Sequence, residues 1–190
     1  MMTDTVDRDD LVVAASLPIA TPFLVYVAGA SRELARAERV IRLLAENGIA
    51  VPFDWTAHMR AVESAGPLTY DVAASSARAD IDAVKRASVV VLLEPGWHEV
   101  TRGEGGRRIV SVERVTTTGA WGEATLAVGI GIPLVVARPP ETQPATFAPE
   151  WQTCVFTALA SLVCDDDDAA IRAVVRLALT GALPSQAVAR

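Results

Sequence analysis

Four places in this chain put reactive or backbone-opening residues just after expected strands: Gly29 to Arg32, Asp54, Glu94, and Gly119 to Glu123. In a parallel sheet, ligands bind where strand carboxyl ends meet helix N-termini, so these are the positions at which side chains do chemistry. The reactive groups there are mostly carboxylates, which act as general acids or bases, or as nucleophiles toward an electron-poor carbon. Other chemistries are thinly supplied. Lys85 is the only lysine, and no Gly-Lys-Ser/Thr string exists, which closes the P-loop route to ATP or GTP and confines Schiff-base chemistry to one residue. Cys154 and Cys164 lack CxxC spacing, and His58 and His98 lie far apart in sequence. No zinc pattern results, and neither a metal nor another cofactor is expected.

The elements that must position these residues follow from composition and periodicity. The chain has 190 residues, 51% of them hydrophobic but only 5% aromatic, so the apolar mass is chiefly Ala, Val, Leu and Ile. That is the make-up of buried parallel strands and their covering helices, in a single domain. The net charge of −6 repels a polyanion, and duplex nucleic acid is not an expected partner. Leu11 to Ser31 carries no charge, yet Asp4, Asp7, Asp9 and Asp10 precede it against one Arg8, and Pro18 and Pro22 interrupt it. A signal peptide or membrane span has the opposite flank, so residues 1–22 read as an N-terminal tail and 23–190 as the α/β domain. Two thiols without disulfide-dense spacing fit a cytoplasmic location and no membrane association.

Phe23 to Ala28 is a β-rich run ending at Gly29, and Leu34, Ala37, Val40, Ile41 and Leu44 then recur at helical spacing. Ile49 to Phe53 reads as a second strand, Asp80 to Ala87 as the end of a helix, and Ser88 to Leu93 as a fully apolar strand. Pro95 to Thr118 is rich in Gly and Arg and lacks helical period, which suggests a long excursion in the form of a hairpin. Gly119 to Val128 is a helix, Pro133 to Ala137 a strand, and Phe156 to Val163 an apolar stretch of either type. Asp165 is expected to cap a last helix, so the aspartates at 165 to 168 read as helix-start carboxylates rather than metal ligands. The expected architecture is a doubly wound, mainly parallel five-stranded sheet flanked by helices, flavodoxin/Rossmann-like.

Three features in this order resemble the nucleoside 2-deoxyribosyltransferase family and its nucleotide N-glycosidase relatives. They are Val25-Tyr26-Val27-Ala28-Gly29; Asp80-Ile81-Asp82 leading into Val89 to Leu93; and Gly119-x-x-x-Glu123-x-x-x-Ala127-x-x-x-Gly131-x-Pro133. The resemblance spans most of Phe23 to Ala137. It implies cleavage or transfer at the N-glycosidic bond of a nucleoside or nucleotide, with Glu123 as nucleophile. Asp80 would supply or relay a proton to the departing base, and Tyr26 would orient the glutamate. The place of Glu123 in the first turn of its helix would itself keep the carboxylate ionised through the helix dipole. Gly29, Asp54, Thr117, Gly119 and Trp121 would contact substrate, and a homo-oligomer would complete the site. Thr117 stands where transferases tend to have aspartate and nucleotide-cleaving relatives serine, and Trp121 stands where a small residue is usual. Two other readings share this architecture: an NAD glycohydrolase-type enzyme, and a non-catalytic nucleotide-sensing module.

Overall fold

The computed structural model describes residues 22–66, 69–104, 107–114, 118–139 and 157–184. The N-terminal tail, the connection through 140–156 and Thr117 lie outside these. Four parallel strands form the central sheet: β1 (Val25–Ala28), β2 (Val89–Leu93), β5 (Leu134–Ala137) and β6 (Leu162–Cys164), in the order β1-β2-β5-β6. Between β2 and β5 in sequence lies a separate antiparallel hairpin, β3 (Trp97–Glu104) and β4 (Arg107–Arg114), paired from Trp97↔Arg114 to Glu104↔Arg107. This is the hairpin expected from the Gly- and Arg-rich excursion.

The sheet has four described strands, not five. Ile49 to Phe53 does not become a full strand; it makes one isolated parallel bridge, Leu24↔Ala50, supported by the Val25 amide donating to the Ala50 carbonyl at 2.9 Å. Pro52 has no N–H to extend that ladder, and Asp54 already starts the next helix. Within the ambiguous run Phe156 to Val163, the described residues form a short 3-10 turn, Thr157–Leu159, and then enter the short strand β6.

The described residues form five α-helices: α1 (Leu34–Glu46), α2 (Trp55–Ala65), α3 (Tyr70–Arg86), α4 (Thr118–Gly129) and α5 (Asp167–Thr180). The helices α1 and α5 pack on each other, α3 packs on α4, and α4 reaches β1, β2 and β5. Every side chain of β1, β2 and β5 is at most 1% exposed, as strands covered on both faces must be. In α1 the expected stripe of Ala37, Val40, Ile41 and Leu44 faces this core.

Polar side chains fix how the helices start and dock. Asp54 caps α2 by accepting from the amides of Thr56 and Ala57. At α5 the cap is Asp166, which accepts from the Ala169 amide at 2.6 Å, one residue later than the sequence suggests. The neighbouring carboxylates pair with arginines: Asp167 with Arg36, Asp168 with Arg39 and Asp165 with Arg138. Arg36 is the central tie. Its guanidinium donates to both Asp167 oxygens and to the carbonyls of Glu94, Ala137 and Arg138, which binds α1 and α5 to the carboxyl ends of β2 and β5.

Candidate active site

Tyr26 lies at the middle of β1, paired with Val90, and its ring is completely buried. A buried phenol requires a hydrogen-bond partner. Its hydroxyl finds one across the sheet, donating to Asp80 Oδ1 of α3 at 2.8 Å. The same hydroxyl also interacts with Glu123 of α4, so two carboxyl groups from two helices meet at one phenol. The sequence expectation had Tyr26 orienting the glutamate; its direct bond goes to Asp80, and it stands between the two.

Burial and mutual repulsion set the charge of this group. The Glu123 carboxyl is pushed from its ordinary 4.5 up to about 7, first by desolvation and then by Asp80, against a lowering contribution from Tyr26. This overturns the expectation that a helix dipole keeps Glu123 ionised. The helix begins at Thr118, so Glu123 sits in the second turn, where the dipole field has faded and burial prevails. Asp80 is also raised, by desolvation, while the Tyr26 bond and the charge of His58 oppose the rise. Tyr26 itself is strongly raised by burial and by both carboxylates, so it stays a phenol.

Asp80 and Glu123 open onto a cavity of about 250 Å³, lined also by Gly29, Ser31, Phe53, Trp55, His58, Met59, Ser76, Gly119 and Ala120. It lies at the carboxyl end of β1, where the chain leaves the sheet. Gly29 is required by a close approach: a Cβ there would stand 3.3 Å from Trp55 Cζ2. The Trp55 ring cannot easily yield, because its Nε1–H donates to the Val27 carbonyl at 2.7 Å.

The structure thus brings Tyr26, Asp80, Glu123, Gly29 and Gly119 together. It does not bring Asp54 or Trp121 to the cavity wall. The Asp54 carboxylate is occupied with the α2 cap, and Trp121 is partly buried against the core. Thr117 lies outside the described residues. Sequence reasoning assigned nothing to His58 or Ser76, which do line the cavity. A signal was present: Trp55, His58 and Met59 follow one helical face, and Ser76 precedes Asp80 by one turn. Among the described residues no group of three or more His, Cys, Asp or Glu side chains is arranged to hold a metal ion.

Cys164 is buried and free, and its thiol is pushed up to about 11 by desolvation and by Asp165 and Asp166. It is an unreactive packing residue. No helix among the described residues is long and apolar enough to cross a membrane.

No protein-family model matches the chain. Nor does any curated protein match it. Among solved structures, a CMP N-glycosidase of Clostridium botulinum, BcmB, is similar, at 17% identity and a TM-score of 0.41, over 78% of this chain and 95% of that one.

Proposed function

We propose that this protein cleaves, or transfers a group across, the N-glycosidic bond of a nucleoside or nucleotide, with Glu123 as the nucleophile. The observation that supports this is the meeting of Glu123 and Asp80 at the Tyr26 hydroxyl, on the wall of one cavity at a strand's carboxyl end. Two carboxyl groups with displaced proton affinities divide naturally into an attacking base and a proton donor.

Near neutral pH the pair can hold one proton. Tyr26 accepts it from protonated Glu123 while passing its own to Asp80, which leaves a glutamate anion and a neutral, protonated Asp80. Glu123 then attacks the anomeric carbon as the carbon–nitrogen bond breaks. The bond pair leaves on the base nitrogen, and Asp80 delivers the proton. The resulting glycosyl ester is opened by water, for hydrolysis, or by a second base, for transfer, with Asp80 taking up the acceptor's proton. Positive charge building on the sugar as the carbon–nitrogen bond breaks favours the ionised glutamate. Such an enzyme, acting on small nucleosides or nucleotides in the cytoplasm as a homo-oligomer, needs no metal for this cycle.

The deciding experiment incubates the protein with deoxynucleosides, nucleoside monophosphates and NAD, and follows released base by chromatography, with and without a second free base. The expected result is release that Glu123→Ala abolishes. Release that persists unchanged in that variant overturns Glu123 as nucleophile, and tight binding of an intact nucleotide without turnover overturns the enzyme reading in favour of a sensor.

A further inference from the structure

The helix α3 carries four apolar side chains in one row: Tyr70, Ala74, Ala77 and Ile81. Their spacings of four, three and four residues keep them within about 60° of one another around the helix. The large groups stand at the ends, with Tyr70 87% and Ile81 41% exposed, and the two alanines lie between. A lone exposed apolar residue needs no explanation, but a row with this period is the seam along which one helix packs on another. The adjoining surface is uncharged as well. The helix α4, which packs on α3, has one charged residue, Glu123, and that one opens onto the cavity. Away from the cavity, Gly122, Thr125 and Gly129 are its exposed positions, and Ile130 just past its end is 48% exposed. The outer faces of α1 and α5, by contrast, carry Arg39, Arg42, Glu46, Arg172 and Arg176. A helix with no charge on its outward side is one that another surface covers.

We propose that a second copy of this chain covers α3 and the adjoining face of α4, with the two α3 helices antiparallel about a two-fold axis. In such a contact every pairing occurs twice. Setting Tyr70 against Ile81 of the second copy also sets Ala74 against its Ala77, because the row is symmetric about its centre. Each bulky end then fills against the other, and the small middle lets the backbones approach. Asp71 and Arg78 flank the row on one side, seven residues apart, and both are exposed. Neither side chain has an ion pair or hydrogen bond among the described residues. A two-fold axis perpendicular to the helices turns this flank onto its own copy, so Asp71 of each chain meets Arg78 of the other. A parallel pair would instead stack Tyr70 on Tyr70 and set the flank against Ala73 and Asp80. Matched ends and complementary charges are thus properties of two copies of this same row. Because α3 carries Asp80 and α4 carries Glu123, the contact also braces both carboxyl-bearing helices. It does not rest on the N-glycosidic reading.

Sedimentation equilibrium of the full chain tests this without a substrate. The wild type should be a dimer, or a multiple of one, in the micromolar range, and a monomer there overturns the proposal. Ala77→Arg, at an exposed position, should remove the dimer while the far-ultraviolet circular dichroism stays unchanged; a dimer that survives the added charge lies elsewhere and overturns it. Asp71→Arg and Arg78→Asp alter exposed side chains and provide the second arm. Each alone sets like charges together twice and should weaken the dimer about 10-fold or more, and the double variant should restore it. Singles that do not weaken the dimer, or a double that does not restore it, overturn the antiparallel pairing.

Discussion

Glu123 titrates near neutrality because the fold keeps water from it, and that has a cost for the folded state with a definite sign. In the unfolded chain it loses its proton near 4.5, in the folded chain near 7. Between those values the unfolded state has released the proton and the folded state still holds it, so stability falls as pH rises through that window and is fully reduced above it. The full difference is about 3 kcal/mol. Glu123→Gln removes this dependence, so thermal melts should show the variant gaining on the wild type from pH 5 to pH 8; equal differences at the two values would contradict the buried, titrating carboxyl. At this scale the sequence was legible where spacing was distinctive. The resemblance pointed to Glu123 through the run from Gly119 to Pro133, and to Asp80 and Tyr26 through its other two features. The charge of Glu123 was not legible, because desolvation depends on α3 and β1, which are distant in sequence. His58 was passed over for the same reason, since its hydrogen-bond partner Ser76 lies on another helix.

Helix starts explain which carboxylates are structural. Asp54 stands at the rim where ligand contacts are expected, yet its oxygen accepts from Thr56 and Ala57 and begins the helix that carries Trp55 and His58. Asp54→Ala should lower stability by about 1 kcal/mol, seen as a reduced melting temperature, with KM for a cleaved nucleoside unchanged. A raised KM at unchanged stability would instead give Asp54 a ligand. Period and composition made α1, β2, β5 and the hairpin readable in advance, because each is long or strongly patterned. The stretch at Ile49 to Phe53 was not, since an apolar run before a turn looks the same whether it pairs along its length or at one residue. The cap of α5 was misplaced by one position for a related reason: four consecutive aspartates offer the same side chain at each, and only the backbone direction selects Asp166.

For the molecule as a whole, Arg36 connects what the core alone would leave adjustable. It joins α1 to α5 and closes the carboxyl ends of two neighbouring strands, with a side chain only 12% exposed against 10% for Asp167. Among the described residues, Arg36→Leu leaves the Asp167 carboxylate with only the Arg39 pair at 4.0 Å and takes a donor from the carbonyls of Glu94, Ala137 and Arg138, and should cost about 3 kcal/mol in denaturant unfolding; a loss within experimental error would make the tie ornamental. The doubly wound class was readable from apolar strands alternating with periodic helices, whereas nothing in the sequence announced Arg36 as a tie, because its hydrogen-bond partners lie more than fifty residues away. Among the described strands, β3 and β4 alone pair only with each other. Because Trp97 and Arg114 are paired, the two ends of the ribbon stand one strand spacing apart, about 5 Å. The hairpin is therefore a splice point: a ribbon of another length, or a tight turn, fits between the same two ends.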